Sequence, residues 1–171
     1  NDGRQALTAC VDDTVRLWDV EEAKVLKTFS AGKAVTTEVA FSPDGRLGMT
    51  TNSDHRLRLW DLATGEEVHA PGQKEGAFLD LSATTMVLWS GTFSADGSRL
   101  LTVGGAEAHL WQAADGKPLM TFSPQSAVSS VQFRKGGEQF VTGSWDNAAR
   151  IWDASTGAAL VKLGGVHTRF V

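Results

Sequence analysis

The chain has few of the residues on which cross-linking and membrane anchoring depend. Its 171 residues include one cysteine, Cys10, so no disulfide can form within the chain. Cys10 falls in a predicted strand, and we expect it to be a small buried hydrophobic residue. No apolar run approaches the roughly 18–20 residues that cross a bilayer as a helix. No stretch keeps a 3.6-residue apolar period, so the sequence predicts essentially no helix.

Strong charge and catalytic motifs are also missing. The net charge is −4 with both signs interspersed, whereas a binder of nucleic acid or of a membrane surface usually presents a basic face. The four histidines lack the spacing of a metal site. No Gly-x-Gly-x-x-Gly opens a helix, and Gly-x-Ser-x-Gly is absent. We therefore expect no enzyme activity, cofactor, metal, nucleic acid or membrane partner. The compartment is not identified by the sequence, and the cytoplasm is favoured.

The chain does contain one sequence unit that is repeated four times. Its clearest copy runs over 141–153, and the four copies end at 15–19, 57–61, 108–112 and 150–153. The tryptophans near these ends, Trp18, Trp60, Trp111 and Trp152, are 42, 51 and 41 residues apart. Each unit has an Asp-Gly or Gly-Gly turn between apolar runs. This is a hairpin signal because glycine adopts the positive φ of such turns at little cost.

Each full unit reads as four short strands. The predicted first strands are 35–41, 86–93 and 128–133, and the second are 6–10, 47–51, 100–103 and 140–143. The third are 15–18, 57–60, 108–111 and 149–152, and the fourth are 24–29, 66–69, 118–122 and 158–163. Short, evenly spaced strands separated by turn residues predict an all-β antiparallel fold. Because Leu59 and Trp60 point to opposite faces, each sheet needs a neighbour on both sides.

The period and the closing Trp-Asp pair resemble the WD-repeat β-propeller family, whose repeats span about 40–45 residues. The resemblance implies an all-β single domain over 1–171 with about four four-stranded antiparallel blades, near 1–30, 31–70, 86–123 and 124–164. The first unit lacks its inner strand. An insertion loop is expected at 71–85, and 165–171 is expected to start a further or closing strand. Since the family commonly has about seven or eight blades, the chain is expected to be part of a larger propeller or of one completed by oligomerisation.

The resemblance also implies a buried network in each blade, in which a Thr, an Asp and the Trp join a His from the preceding loop. The matching positions are Thr8, Asp12 and Trp18; Thr50, Asp54 and Trp60; Thr102 and Trp111; and Thr142, Asp146 and Trp152. The family's Gly-His is missing at 32–33, and only 165–167 comes near it, so these networks are incomplete. Arg16, Arg58 and Arg150 stand two residues before a Trp and are expected to form ion pairs.

The resemblance implies a non-catalytic scaffold that binds a protein or peptide on the rim of the propeller. Candidate contact residues are Val11, Ser53 and Trp145 in the turns before the third strands, with Phe78 and Leu79 in the insertion. Alternatively, the insertion folds onto its own small cluster and the Trp145 ring lies flat on the neighbouring blade. Trp89, on a first strand, is expected in the core or lining the channel.

Two other functions stay open at this point. The chain could self-assemble through its open blade edges, with two copies completing an eight-bladed ring, because an open array exposes a sheet face and unpaired edges. It could also be a fragment of a larger multidomain WD-repeat protein.

Overall fold

The computed structural model describes residues 3–30, 32–70, 77–81 and 88–164. In these ranges the chain forms sixteen strands and no helix, so none that could cross a bilayer. The first half contains β1 Gln5–Ala9, β2 Thr14–Asp19, β3 Lys24–Ser30, β4 Thr36–Phe41, β5 Leu47–Asn52, β6 Arg56–Asp61, β7 Glu67–Val68 and β8 Leu79–Asp80. The second half contains β9 Leu88–Phe93, β10 Arg99–Gly104, β11 Glu107–Gln112, β12 Pro118–Phe122, β13 Val128–Phe133, β14 Gln139–Ser144, β15 Ala148–Asp153 and β16 Ala159–Gly164.

The strands form four antiparallel sheets, each a meander in chain order. We call them blades one to four. Blade one has the order β1-β2-β3, blade two β4-β5-β6-β7, blade three β9-β10-β11-β12 and blade four β13-β14-β15-β16. The all-β fold and its repeated sheets are therefore confirmed. In the described residues blade one has three strands, so β1 is an edge strand where the other blades have an inner strand.

The turn between the first two strands of a blade is fixed by a short acidic motif. In blade two the Asp44 carboxylate accepts hydrogen bonds from the Ser42 hydroxyl, at 2.6 Å, and from the Arg46 N–H, at 3.1 Å. Gly45 then adopts φ 72°, a conformation that costs glycine little. Blade three repeats the arrangement with Ser94 and Asp96, and the Ser94 hydroxyl helps to lower the pKa of Asp96 to about 2.

Three hydrophobic clusters hold consecutive blades together. Trp60 of blade two packs with Val15, Leu17 and Phe29 of blade one. In the same way Trp111 belongs to a cluster with residues of blade two, and Trp152 to a cluster with residues of blade three. These three tryptophans are 5–7% exposed, whereas Trp18, which has no preceding blade in the structure, is half-buried. Trp60, Trp111 and Trp152 are thus each buried by the blade before their own.

The insertion in blade two differs from the expected loop between blades. β8 falls inside the expected loop and pairs with β6 through Leu57 and Leu79, beyond the pairing of β6 with β7 through Leu59 and Val68. The outer strand of this blade is therefore built from two short pieces that are separate in the sequence. Residues 71–76 and 82–87 lie outside the described part of the chain.

The expectation that Cys10 is a buried strand residue is wrong. Cys10 follows β1 and is exposed. The residues at the same position in the other blades, Asn52, Gly104 and Ser144, are buried because an inner strand pairs alongside them. Blade one has no such strand among the described residues, so nothing covers this end of β1 in the structure.

Candidate functional site

The turns between the second and third strands lie at one end of the blades, and we call this end the upper rim. It carries Val11, Ser53, Gly105 and Trp145 at equivalent positions. Backbone hydrogen bonds tie these turns to the chain entering the inner strands. The Trp145 N–H donates to the Ala127 carbonyl at 2.8 Å, and the Ser53 N–H donates to the Val35 carbonyl at 2.8 Å. The upper rim is therefore held by the blade scaffold.

Two tryptophans meet on this rim. Trp145 of blade four and Trp89 of blade three are 43% and 44% exposed. Their ring centroids are 5.7 Å apart and their planes are inclined by 76°, an edge-to-face contact. Trp145 thus contacts the neighbouring blade, yet it keeps much of its surface open to solvent. Trp89 is not a core residue, and the core alternative given for it above is wrong.

The exposure of Trp89 has a local backbone cause. In blade three Ser90 pairs with Val103 and Leu88 pairs with Gly104, which leaves Trp89 as the extra residue of a bulge. A bulge re-aims the side chain it carries. The equivalent residues in blades two and four are Thr37 and Ser129, whose hydroxyls donate to the Thr51 and Gly143 carbonyls. Trp89 has no hydroxyl to donate to the carbonyl of the neighbouring strand, and its ring lies outward against Trp145.

The other candidate contact residues are divided between surface and core. Val11 is 85% exposed, and Ser53 is exposed with its hydroxyl accepting the Val35 N–H at 3.1 Å. Phe78 and Leu79, in contrast, are 4% and 5% exposed and belong to the cluster between blades two and three. They pack between the two blades and not in a separate cluster of the insertion, and they are not available to a partner on the surface.

The repeated threonines and tryptophans form one bond in every blade. The indole N–H donates to the threonine hydroxyl at 2.7 Å from Trp18 to Thr8, 3.3 Å from Trp60 to Thr50, 2.9 Å from Trp111 to Thr102 and 2.9 Å from Trp152 to Thr142. The histidine position near 165–167 lies outside the described residues. Each bond ties the third strand of a blade to the second.

The repeated aspartates pair with the arginines, as expected of those arginines. Asp12 lies 2.7 Å from Arg16, and Asp54 lies 2.9 Å from Arg58. In blade four the buried Arg150 donates to Asp146, and Ser144 also donates to that carboxylate. These two donors hold the pKa of Asp146 well below its usual range. Blade three has Glu107 and His109 instead, 3.1 Å apart.

The aspartates that follow Trp60 and Trp152 have a role that the sequence reasoning missed. Asp61 accepts the backbone N–H groups of Ala63 and Thr64, both at 2.8 Å. Asp153 does the same for Ser155 and Thr156, and the pKa of Asp153 falls to about 2 because the Ser155 hydroxyl and these N–H groups donate to it. In blades two and four the Trp-Asp pair therefore joins a packing residue to a turn-forming one. The signal in the sequence is a Thr-Gly pair that begins three residues after the Asp, at 64–65 and 156–157.

No metal site is present among the residues that the structure describes. Within those ranges, no group of three or more His, Cys, Asp or Glu side chains is placed to hold a metal ion. The arrangement on the upper rim is instead a solvent-exposed aromatic contact flanked by internally paired charges.

Comparisons with known proteins were made with the whole sequence. The family model described as "WD domain, G-beta repeat" matches residues 1–19, 23–61 and 116–153. The "Guanine nucleotide-binding protein subunit beta" of Solanum tuberosum is 30% identical over 149 residues, which cover 82% of this chain and 38% of that protein. The "WD repeat-containing protein SL1-17" of Schistosoma mansoni is 28% identical over 168 residues, which cover 93% of this chain and 50% of that protein. The chain thus spans half or less of the length of these relatives.

Proposed function

The chain belongs to the WD-repeat family, and on that premise we propose that it is a non-catalytic scaffold whose upper rim binds a protein or peptide at Trp145 and Trp89. The family and the relatives support a protein-interaction role in general. The observation that carries the finer proposal is the exposed edge-to-face contact between these two rings on adjacent blades.

Two exposed indoles in contact are a stronger feature than isolated surface hydrophobic residues. Single exposed apolar side chains are normal on a folded protein, whereas joined ones form a patch. Tryptophan is enriched among the residues that dominate binding energy, since a large rigid ring loses much water-exposed area at little entropic cost. The backbone N–H of Trp145 donates to the Ala127 carbonyl, and Trp89 is the extra residue of a strand bulge, so the backbone that carries both rings is preorganised for a partner.

The test is affinity for a partner isolated with the wild-type chain. Truncation of Trp145 to Ala should weaken the affinity by about 2 kcal/mol or more, roughly 30-fold in Kd. Isothermal titration calorimetry measures this directly. The control is Leu119→Ala, which removes a side chain that is 48% exposed on the outer strand of blade three, away from the upper rim. Equal affinities of wild type and Trp145→Ala would remove this ring from the proposed site.

A second candidate function, assembly of copies of this chain, is favoured by the exposed face of blade four. Val141, Ile151 and Val161 are cross-strand neighbours on this face. At the same positions in blade three, Leu101, Leu110 and Met120 pack into the cluster that holds blade four. Val161 is 43% exposed and the neighbouring Leu163 is 51% exposed. The face thus has the chemistry of an internal junction.

Blade one offers the matching half of such a junction. Trp18 is flanked by Ala6 and Val25 in register, as Trp152 is flanked by Phe140 and Ala159 in blade four. A second copy could place this face against blade four of the first, in a head-to-tail contact. A further blade of a longer chain would use the same surface, as the other open alternative requires.

Sedimentation velocity separates these possibilities for the 171-residue chain. Assembly predicts a mass above that of one chain at micromolar concentration, and Val161→Glu should return it to the mass of one chain. Leu119→Glu, at a residue with similar exposure but off this face, should leave the assembly intact. A wild-type mass of one chain with native-like stability would exclude assembly.

A further inference from the structure

A cavity lies beside the inner strands, and the repeat contacts described above do not use it. It has a volume of about 340 Å³ and is bounded by blades two, three and four. Its polar wall includes Glu38, Ser90, Ser130 and Gln132, and its apolar wall includes Val141 and Ala149. Glu38, Ser90 and Ser130 occupy the same place in β4, β9 and β13, directly after the bulge residue of each inner strand.

Glu38 is the charged residue of this wall. One carboxylate oxygen, Oε2, accepts the Gly91 N–H of blade three at 2.8 Å. Among the residues that the structure describes, no Lys, Arg or His nitrogen lies within 4 Å of this carboxylate, although Asp12, Asp54 and Asp146 on the rim all have arginine partners. The half-buried Glu38 therefore brings an uncompensated negative charge to a recess with hydroxyl and amide groups.

The recess and the exposed tryptophans are adjacent. Ser90, in the cavity wall, directly follows Trp89 in β9. Gly143, in the same wall, stands two residues before Trp145. Two residues of extended chain span at most about 7 Å, so the backbone of each tryptophan lies within about 7 Å of a residue of the cavity wall.

We propose that this recess takes a basic side chain, lysine or arginine, of the bound protein or peptide. The inference rests on the proposed function and names the chemistry of its partner. The aliphatic stem would lie against the two inclined rings, because the methylene groups of lysine and arginine pack on apolar surface while the charged head stays in a polar environment. The charged head would reach the Glu38 carboxylate in a charge-assisted hydrogen bond, with the Ser90 and Ser130 hydroxyls as further acceptors.

The test uses three blocked pentapeptides, with arginine, lysine or citrulline between two glycines on each side. Binding is followed by the indole N–H signals of Trp89 and Trp145 in NMR spectra, assigned through Trp89→Phe and Trp145→Phe. The arginine or lysine peptide should shift both signals in a saturable manner. The citrulline peptide, which has a similar length and no charge, should bind at least about fivefold more weakly. Comparison of the arginine and lysine peptides identifies the preferred head group.

Glu38→Gln is the matched variant, because the glutamine oxygen can still accept the Gly91 N–H. It should weaken the basic peptide about fivefold and leave the citrulline peptide unchanged. Raising the salt concentration with the wild-type chain should also weaken the basic peptide, and this measurement does not depend on the folding of a variant. The proposal is overturned if no peptide shifts the two signals, if citrulline binds as well as the basic peptides, or if neither Glu38→Gln nor salt changes the affinity. Those failures would leave the effect of Trp145→Ala on an isolated partner intact, so they are distinguishable from failure of the proposed function.

Discussion

At the scale of single residues, the hydrogen bond between the repeat tryptophan and threonine should contribute differently to stability in different blades. The indole of Trp152 and the hydroxyl of Thr142 are both buried, whereas Thr8 is exposed and Trp18 is only half-buried. A buried donor that loses its acceptor keeps the full cost of leaving water, while an exposed donor can bond to water instead. The contribution of the Trp-Thr bond should therefore follow the cover supplied by the preceding blade.

Replacement of Thr142 by Val keeps the side-chain shape and removes the acceptor. It should lower the free energy of unfolding by about 1–3 kcal/mol, because the Trp152 N–H becomes a buried donor without a partner. Thr8→Val, which removes the equivalent bond in blade one, should cost less than about 0.5 kcal/mol. Urea denaturation followed by far-UV circular dichroism measures both. Equal losses in the two variants would contradict this dependence on burial.

The Asp146 carboxylate should make stability depend on pH. Its folded-state pKa is held well below the usual range by Arg150 and Ser144, so its stabilising effect is fully present above the unfolded-state pKa of about 4 and is lost as the pH falls through lower values. Asp146→Asn should cost about 1–3 kcal/mol at pH 7, since the buried Arg150 loses its counter-charge. Between about pH 5 and pH 2 the wild type should approach the variant. A difference that stays constant over this range of pH would argue against the ion pair as the cause.

At the scale of elements, the outer strand of blade two shows that one strand position in a blade can be occupied by two short segments that are separate in the sequence. Leu79 pairs with Leu57 as Phe29 pairs with Val15 and Phe122 pairs with Ala108. All three of these outer-strand residues are buried against the next blade. The Gly116 turn of blade three, at φ 70°, packs so closely on Leu79 that an added Cβ would lie 3.0 Å from its side chain.

Leu79→Ala should therefore destabilise the protein by about 2–5 kcal/mol, the range for a buried leucine that leaves a cavity. Leu163 occupies the same position in blade four but is 51% exposed. In dilute solution Leu163→Ala should change stability by less than about 0.5 kcal/mol. Thermal unfolding by calorimetry compares the two substitutions. A small loss of stability in Leu79→Ala would contradict the burial of Leu79 between blades two and three.

The sequence predicts the regular parts of these elements because period and alternation are local. The spacing from Trp18 to Trp60 and the alternation of Leu59 with Trp60 are sufficient to give four sheets and their two faces. β8 could not be predicted in this way, since a strand of two residues is too short to show a periodic pattern. The core alternative for Trp89 is wrong because a bulge cannot be inferred from the sequence of one strand. The residues at the same position in blades two and four, Thr37 and Ser129, are small and polar, which indicates that this position does not face the core.

At the scale of the whole molecule, stability comes from three junctions between blades. Each junction sets the tryptophan-bearing face of one blade on the face of the blade before it, as Trp60, Trp111 and Trp152 show. The upper-rim pair of Trp89 and Trp145 spans the third junction, so its geometry depends on the packing of blade three against blade four. Loss of a junction should therefore disturb the proposed site without any change in its own residues.

Hydroxyl-radical footprinting of the six tryptophans, read by mass spectrometry, tests the stacking of the blades and the exposure of the rim together. Modification rates should follow the solvent-exposed area, with Trp89 and Trp145 fastest, Trp18 intermediate, and Trp60, Trp111 and Trp152 slowest. Denaturant should bring all six rates together. Native rates at Trp60, Trp111 and Trp152 as high as those at Trp89 and Trp145 would contradict the account.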